Sequence, residues 1–130
     1  KVIVNLAPAD IRKEGTNFDL PIAIGVLKEQ GIEIPDNTNI AYIGELSLDG
    51  TLRSVNGVLP LVIGLKEQGI ETVIVPYENA KEAALVQGIT VLGAKDLVEV
   101  VAHFEETPIQ PTVIDINKYL EDNSKIEYVL

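Results

Sequence analysis

A chain of 130 residues, 46% hydrophobic and only 5% aromatic, is long enough to bury one aliphatic core and too short for two. Twenty acidic against ten basic residues give a formal charge of −10, which argues against a phosphate-binding surface, because such surfaces rest on Lys and Arg displacing counterions; no direct nucleic-acid binding is expected. Without cysteine there are no disulfides, thiolate nucleophiles or zinc–thiolate sites, and without an 18-residue apolar run no membrane span is expected, so a cytoplasmic setting suits the chain. Lys1 is not an initiator Met and no signal sequence follows it, so the chain is expected to be a piece of a longer protein.

Val2 to Leu6 is a short apolar run that reads as a buried strand, followed by a polar connection from Ala7 to Gly15. Thr16-Asn17-Phe18-Asp19 has the hydroxyl-x-x-acid form of a capping box. Pro21 is comfortable only in a first turn, so the helix is expected from about Leu20, through Ile22, Ile24, Val26 and Leu27, to Gln30, with Gly31 ending it. Leu27 to Glu33 recurs letter for letter as Leu65 to Glu71; two copies 38 residues apart are too few for a solenoid, and the repeat reads as one helix-ending chemistry used twice.

Ile40 to Ile43 reads as a buried strand. Asp49-Gly50, between Leu46-Ser47-Leu48 and Thr51-Leu52-Arg53, predicts a hairpin closed by a two-residue type I′ turn. A helix is expected from about Gly57 to Gln68, with Leu59 and Val62 buried, and a strand apolar on both faces from Thr72 to Val75, stopped by Pro76. Glu78 to Val86 reads as a short helix and Ile89 to Leu92 as a strand. Asp96 to Phe104 reads as an amphipathic helix with Leu97, Val98, Val100 and Val101 facing in. Residues 105–130 carry six acidic residues and two lysines and read as an acidic linker after a domain at 1–104, although Thr112 to Ile116 has the composition of a strand. Alternating strands and helices predict an α/β domain, here expected as an α+β two-layer form.

Two stretches also carry a resemblance. YIGELSLDGTLRSVNGVLPLVIGLKEQGIETVIVPYENAKEA and NLAPADIRKEGTNFDLPIAIGVL resemble the Lon-protease-like domain of the YifB/ComM family of magnesium-chelatase-like AAA+ ATPases, in matching order and spacing from Lys1 to about Phe104. The resemblance implies the fold of Lon catalytic domains and of ribosomal protein S5 domain 2, with the first part of that domain lying upstream of Lys1. It also implies an ATPase module, with its ATP and Mg²⁺, elsewhere in the parent. For the parent it implies ATP-driven remodelling of DNA, as in competence and branch migration; for this domain it implies an accessory or assembly role beside the rest of that ATPase. A Lon-type serine peptidase with an unorthodox nucleophile and a RadA-like recombination domain are the alternatives.

Neither a P-loop nor a Gly-x-Gly-x-x-Gly string occurs, so no cofactor is expected on this chain. Lon-type domains pair a Ser nucleophile with a Lys base. On the resemblance the nucleophile follows Lys13-Glu14-Gly15 and falls on Asn17 or Phe18, and the Lys falls on Leu59; none of these residues has the chemistry. Thr16 is explained by capping, and Lys66 lies two turns beyond Leu59. Asp10, Glu14, Asp19, Glu45 and Asp49 fit no metal-binding loop. His103, the single histidine, is expected near the end of the last helix, where an imidazolium can favour the negative end of the dipole, and a lone histidine makes no metal site. Arg12, Lys13 and Arg53 read as solvated cations. No catalytic, cofactor-binding or metal residue is assigned, and self-association is expected through an exposed strand edge at Val2 to Leu6, with capture of that edge by Thr112 to Ile116 as the alternative.

Overall fold

The computed structural model describes residues 18–36 and 38–122. The strand expected at Val2 to Leu6, the connection to Gly15 and the Thr16 half of the capping box lie outside them.

Helix α1 (Asp19–Glu29) begins with Pro21 in its first turn, where a missing N–H costs nothing. Helix α2 (Val58–Glu67) has Gly57 as its N-cap at φ 73°. Both helices end alike. In α1 the Gly31 and Ile32 N–H groups reach back to the Lys28 and Leu27 carbonyls; in α2 those of Gly69 and Ile70 reach Lys66 and Leu65. Gly31 and Gly69 each stand at φ 92°, so the repeated Leu-Lys-Glu-Gln-Gly-Ile-Glu string is one Schellman stop used twice.

Strands β1 (Ile40–Tyr42), β4 (Thr72–Pro76) and β5 (Thr90–Ala94) form a parallel sheet in the order β1-β4-β5, with Ile40 opposite Thr72 and Thr72 opposite Thr90. β4 continues through Pro76 instead of stopping before it. β1 reaches only to Ile74, so the absent Pro76 N–H falls beyond the stretch where β4 has neighbours on both sides.

The α/β class holds, but helices cover both faces of the sheet instead of one. Val73, Val75 and Val91 pack with Val58 and Val62 of α2 and Ala80 and Ala83 of the short helix α3 (Ala80–Ala83). Ile74, Leu92 and Ala94 alternate to the other face, against Leu20 and Ile24 of α1 and Val100 of α4 (Leu97–His103). The helix expected from Glu78 to Val86 is a 3-10 turn, Tyr77–Asn79, followed by that single turn of α3. In α4 the expected inward stripe is one residue too wide: Val100 is fully buried, whereas Val98 is 75% exposed.

Strands β2 (Glu45–Leu46) and β3 (Leu52–Arg53) make the expected hairpin with a different turn. The Gly50 N–H donates to the Ser47 carbonyl and the Ser47 N–H to the Thr51 carbonyl, so Leu48 and Asp49 are the central residues and Gly50 follows at φ 90°. This is a three-residue loop with a glycine bulge, which places Leu48 wholly in solvent. The Asp49 carboxylate accepts the Thr51 N–H and is held below its usual range by hydrogen bonds from Thr51.

After α4 the chain reverses and crosses the outer side of β5. The Thr112 N–H donates to the Val91 carbonyl at 2.8 Å, Pro111 stands opposite Leu92, and Ile109 and Ile114 pack against the two cores. Thr112 to Ile116, whose composition suggests a strand, gives only the Thr112 bond beside the Pro111 bridge and passes into helix α5 (Ile116–Asp122).

Candidate functional site

The residues weighed for chemistry fall into two regions. One surrounds the starts of α1 and α2 and the hairpin; the other lies at the C-terminal ends of β4 and β5, where open parallel sheets usually bind ligands.

In the first region Thr16, Asn17, Asp10, Arg12, Lys13 and Glu14 lie outside the described residues. Phe18 is the N-cap of α1 and more than half exposed. Asp19 reaches across to the hairpin, its Oδ2 accepting the Leu46 N–H at 3.0 Å, while the Leu20 N–H donates to the Gly44 carbonyl. The carboxylate thus ties the start of α1 to β2, a role that a purely local capping box does not foresee.

Leu59, where the resemblance places the Lon-type base, is half-buried, and the fully buried residue of that turn is Val58. The expectation of a buried Leu59 is corrected by one position; that of a buried Val62 is met. Lys66 lies seven residues further along α2, about 10 Å at 1.5 Å per residue, with its Cε beside Gly88. It cannot replace a base at the start of the helix. Glu45 lies in β2 and Asp49 at the hairpin tip. Among the described residues no group of three or more His, Cys, Asp and Glu side chains is placed to hold a metal ion.

Asn79 is the polar side chain that sequence reasoning missed. It is only 6% exposed; its Oδ1 accepts the Val55 N–H at 2.9 Å and its Nδ2 donates to the Val55 carbonyl at 3.1 Å. One side chain thereby satisfies both backbone groups of the loop that leads into α2. The available signal was an Asn just after the strand-ending Pro76, a position where Asn side chains bond backbone.

At the second region a cleft of about 360 Å³ is lined by Tyr77, Gly93, Lys95 and Glu99 on one side and by Thr107 to Gln110 on the other. Gly93 has no room for a side chain, since a Cβ there would stand 2.8 Å from that of Ala80. The Lys95 ammonium lies 5.0 Å from the centre of the Tyr77 ring. Asp96 and Glu99 cap α4: Asp96 Oδ1 accepts the Glu99 N–H and Glu99 Oε1 accepts the Lys95 N–H, each at 2.8 Å. Both carboxylates are structurally engaged.

His103 closes α4 as expected, but it serves the chain that follows and not the helix dipole. Its Nδ1 accepts the Ile109 N–H at 2.9 Å, its ring meets Phe104 edge-on at 4.8 Å, and burial pushes its pKa below the ordinary value. A ring nitrogen that accepts a hydrogen bond belongs to the neutral imidazole, not to an imidazolium serving the helix dipole. Burial likewise raises the pKa of Tyr42 at the end of β1. Arg53 is exposed, as expected.

The family model described as subunit ChlI of Mg-chelatase matches residues 1–79. The competence protein ComM of Haemophilus influenzae is 37% identical over 119 residues, which span 91% of this chain and 23% of ComM. YifB of Escherichia coli is 38% identical over 107 residues, 81% of this chain and 21% of YifB. Lon protease 2 of Bacillus subtilis is 33% identical over 116 residues, 85% of this chain and 21% of the protease. The chain therefore spans less than a quarter of the length of these relatives.

Proposed function

The chain belongs to the YifB/ComM family of magnesium-chelatase-like proteins, and from that premise we propose that it is a catalytically silent Lon-like accessory or assembly module of a cytoplasmic AAA+ ATPase. The observation that supports this reading is Leu59, a half-buried hydrocarbon at the position to which the resemblance assigns the Lon-type base. A leucine can neither take a proton from a nucleophile nor hold one for a leaving group. Asn17 or Phe18 at the nucleophile position points the same way.

ATP and Mg²⁺ would bind a nucleotide module elsewhere in the parent, since no phosphate-cradling string occurs here. The Haemophilus influenzae relative is a competence protein, which supports DNA remodelling as the parent's work. The acidic chain, at −10, would contribute to assembly and not to the DNA contact, with self-association through a sheet edge as its mode.

The test has two arms. The chain alone, and the parent, are incubated with casein and with a serine-directed fluorophosphonate; the parent is then assayed for Mg-ATP turnover and junction migration, with and without residues 1–104. No cleavage and no labelling are expected, together with ATP-dependent migration that weakens when the domain is removed. Casein cleavage abolished by Thr16→Ala would overturn the silent-domain reading and restore the peptidase favoured by the Lon protease 2 match. A parent without ATP turnover would overturn the ATPase reading.

A further inference from the structure

We propose that His103 is a proton-operated clasp: its neutral imidazole fastens Ile109 in the middle of residues 107–112, a strap over the outer edge of β5, and its imidazolium loosens that strap. The inference goes beyond the accessory role and does not depend on it.

The strap has few ties. Two of its six residues, Pro108 and Pro111, have no N–H to give. Among the described residues it is tied by the Thr107 N–H to the Ala102 carbonyl at 3.0 Å, the Ile109 N–H to His103 Nδ1 at 2.9 Å and the Thr112 N–H to the Val91 carbonyl at 2.8 Å, the last beside the bridge of Pro111 to Leu92. The clasp is the middle of the three and the one nearest the Ile109 side chain, which packs on the core under α4. Protonation puts a second N–H on the ring, so the atom that accepted the Ile109 amide becomes a donor facing a donor. The bond is then lost and the two groups repel.

Loosening has a structural consequence at β5. The strap supplies one wall of the 360 Å³ cleft, with Thr107, Pro108, Ile109 and Gln110 opposite Tyr77, Gly93 and Lys95. Moving it uncovers the Val91 carbonyl and the outer edge of β5, and an open strand edge accepts an extended segment by backbone pairing.

The ionisable groups on the elements around His103 are few. Glu99 lies one turn earlier on α4, with its carboxylate on the Lys95 N–H; Glu105 and Glu106 occupy the chain reversal; Lys95 follows β5, with its ammonium against Tyr77. The strap itself carries no charged side chain. Burial alone moves the imidazole pKa, and it moves it down. The folded state therefore binds fewer protons than the unfolded chain once pH falls below about 6.5, the ordinary histidine value. The clasp is complete above that pH and is lost as pH drops through the lower folded-state value.

As the single histidine, His103 can be followed without ambiguity. The test is a pH titration of the chain from 8 to 5 by NMR, reading the His103 ring, the Ile109 amide and its hydrogen exchange, with the Ile74 amide of central β4 as a report on global folding. The expected result is a ring midpoint below about 6.5, an Ile109 amide that titrates with it, and roughly tenfold weaker Ile109 protection in the acid form, the worth of one net hydrogen bond. In His103→Ala, Ile109 protection should be low at pH 8 and flat with pH while Ile74 stays protected. An Ile109 amide indifferent to ring protonation would overturn the proposal, and so would wild-type Ile109 protection in His103→Ala. If that variant does not fold, the wild-type titration decides alone.

Discussion

At the scale of single residues the molecule depends on a few polar side chains that bond distant backbone. Asn79 comes 24 residues after Val55 and binds both of its backbone groups from a buried position. A buried donor or acceptor left without a partner costs more than the same bond is worth when formed, because its hydration is not restored. Asn79→Ala would strand the N–H and carbonyl of Val55 together. It is expected to lower stability by about 1–3 kcal/mol in urea melts. Asn79→Asp keeps the acceptor for the Val55 N–H but replaces the Nδ2 donor with an oxygen facing the Val55 carbonyl, so it should destabilise too. A neutral Asn79→Ala would mean that water reaches Val55 in solution. Asp19 works in the same manner, with its carboxylate on the Leu46 N–H fastening α1 to the hairpin across 27 residues.

Elements are governed instead by packing and by how locally their signals are written. Val62 of α2 is fully buried between Val58 and the faces of β4 and β5. Val62→Ala is expected to cost roughly 1–3 kcal/mol, as lost transfer energy plus the residual cavity, and a shift in denaturation midpoint at constant slope would register it. The ends of α1 and α2 were legible in the sequence because a Schellman stop needs only a glycine at positive φ and an apolar residue after it. β4 was legible because a central strand covered on both faces must be apolar throughout. The hairpin was legible but its turn register was not, since Asp-Gly suits both the two-residue turn and the three-residue loop that carries Gly50 as a bulge. Val98 went astray because helical spacing marks a stripe without fixing its width; Leu97, Val100 and Val101 already fill the contact with the sheet, leaving Val98 in water. The Asn79 clamp and the His103 bond were not legible, because each partner is chosen by tertiary approach and leaves no local period.

For the whole molecule, the question is where the folded unit stops. Composition suggests a linker from Glu105, yet the chain after α4 contributes Ile109 to one core and Ile114 to the other, and bonds the edge of β5 through Thr112. A segment that covers a sheet edge and closes both apolar layers acts as part of the domain, whatever its charge. The expected consequence is that truncation after Glu106 lowers stability by about 2–4 kcal/mol, from two partly buried isoleucines and the lost edge bond. Truncation after Asp122 keeps Ile109, Ile114 and the Thr112 bond and serves as the reference for the longer deletion. The two truncations compared by urea denaturation separate the readings: equal midpoints would return the segment from Glu105 to the status of a linker, whereas a loss confined to the longer deletion places the strap within the folding unit. The longer deletion should also increase association at high protein concentration, measured by light scattering, because an uncovered β5 edge is a template for another strand.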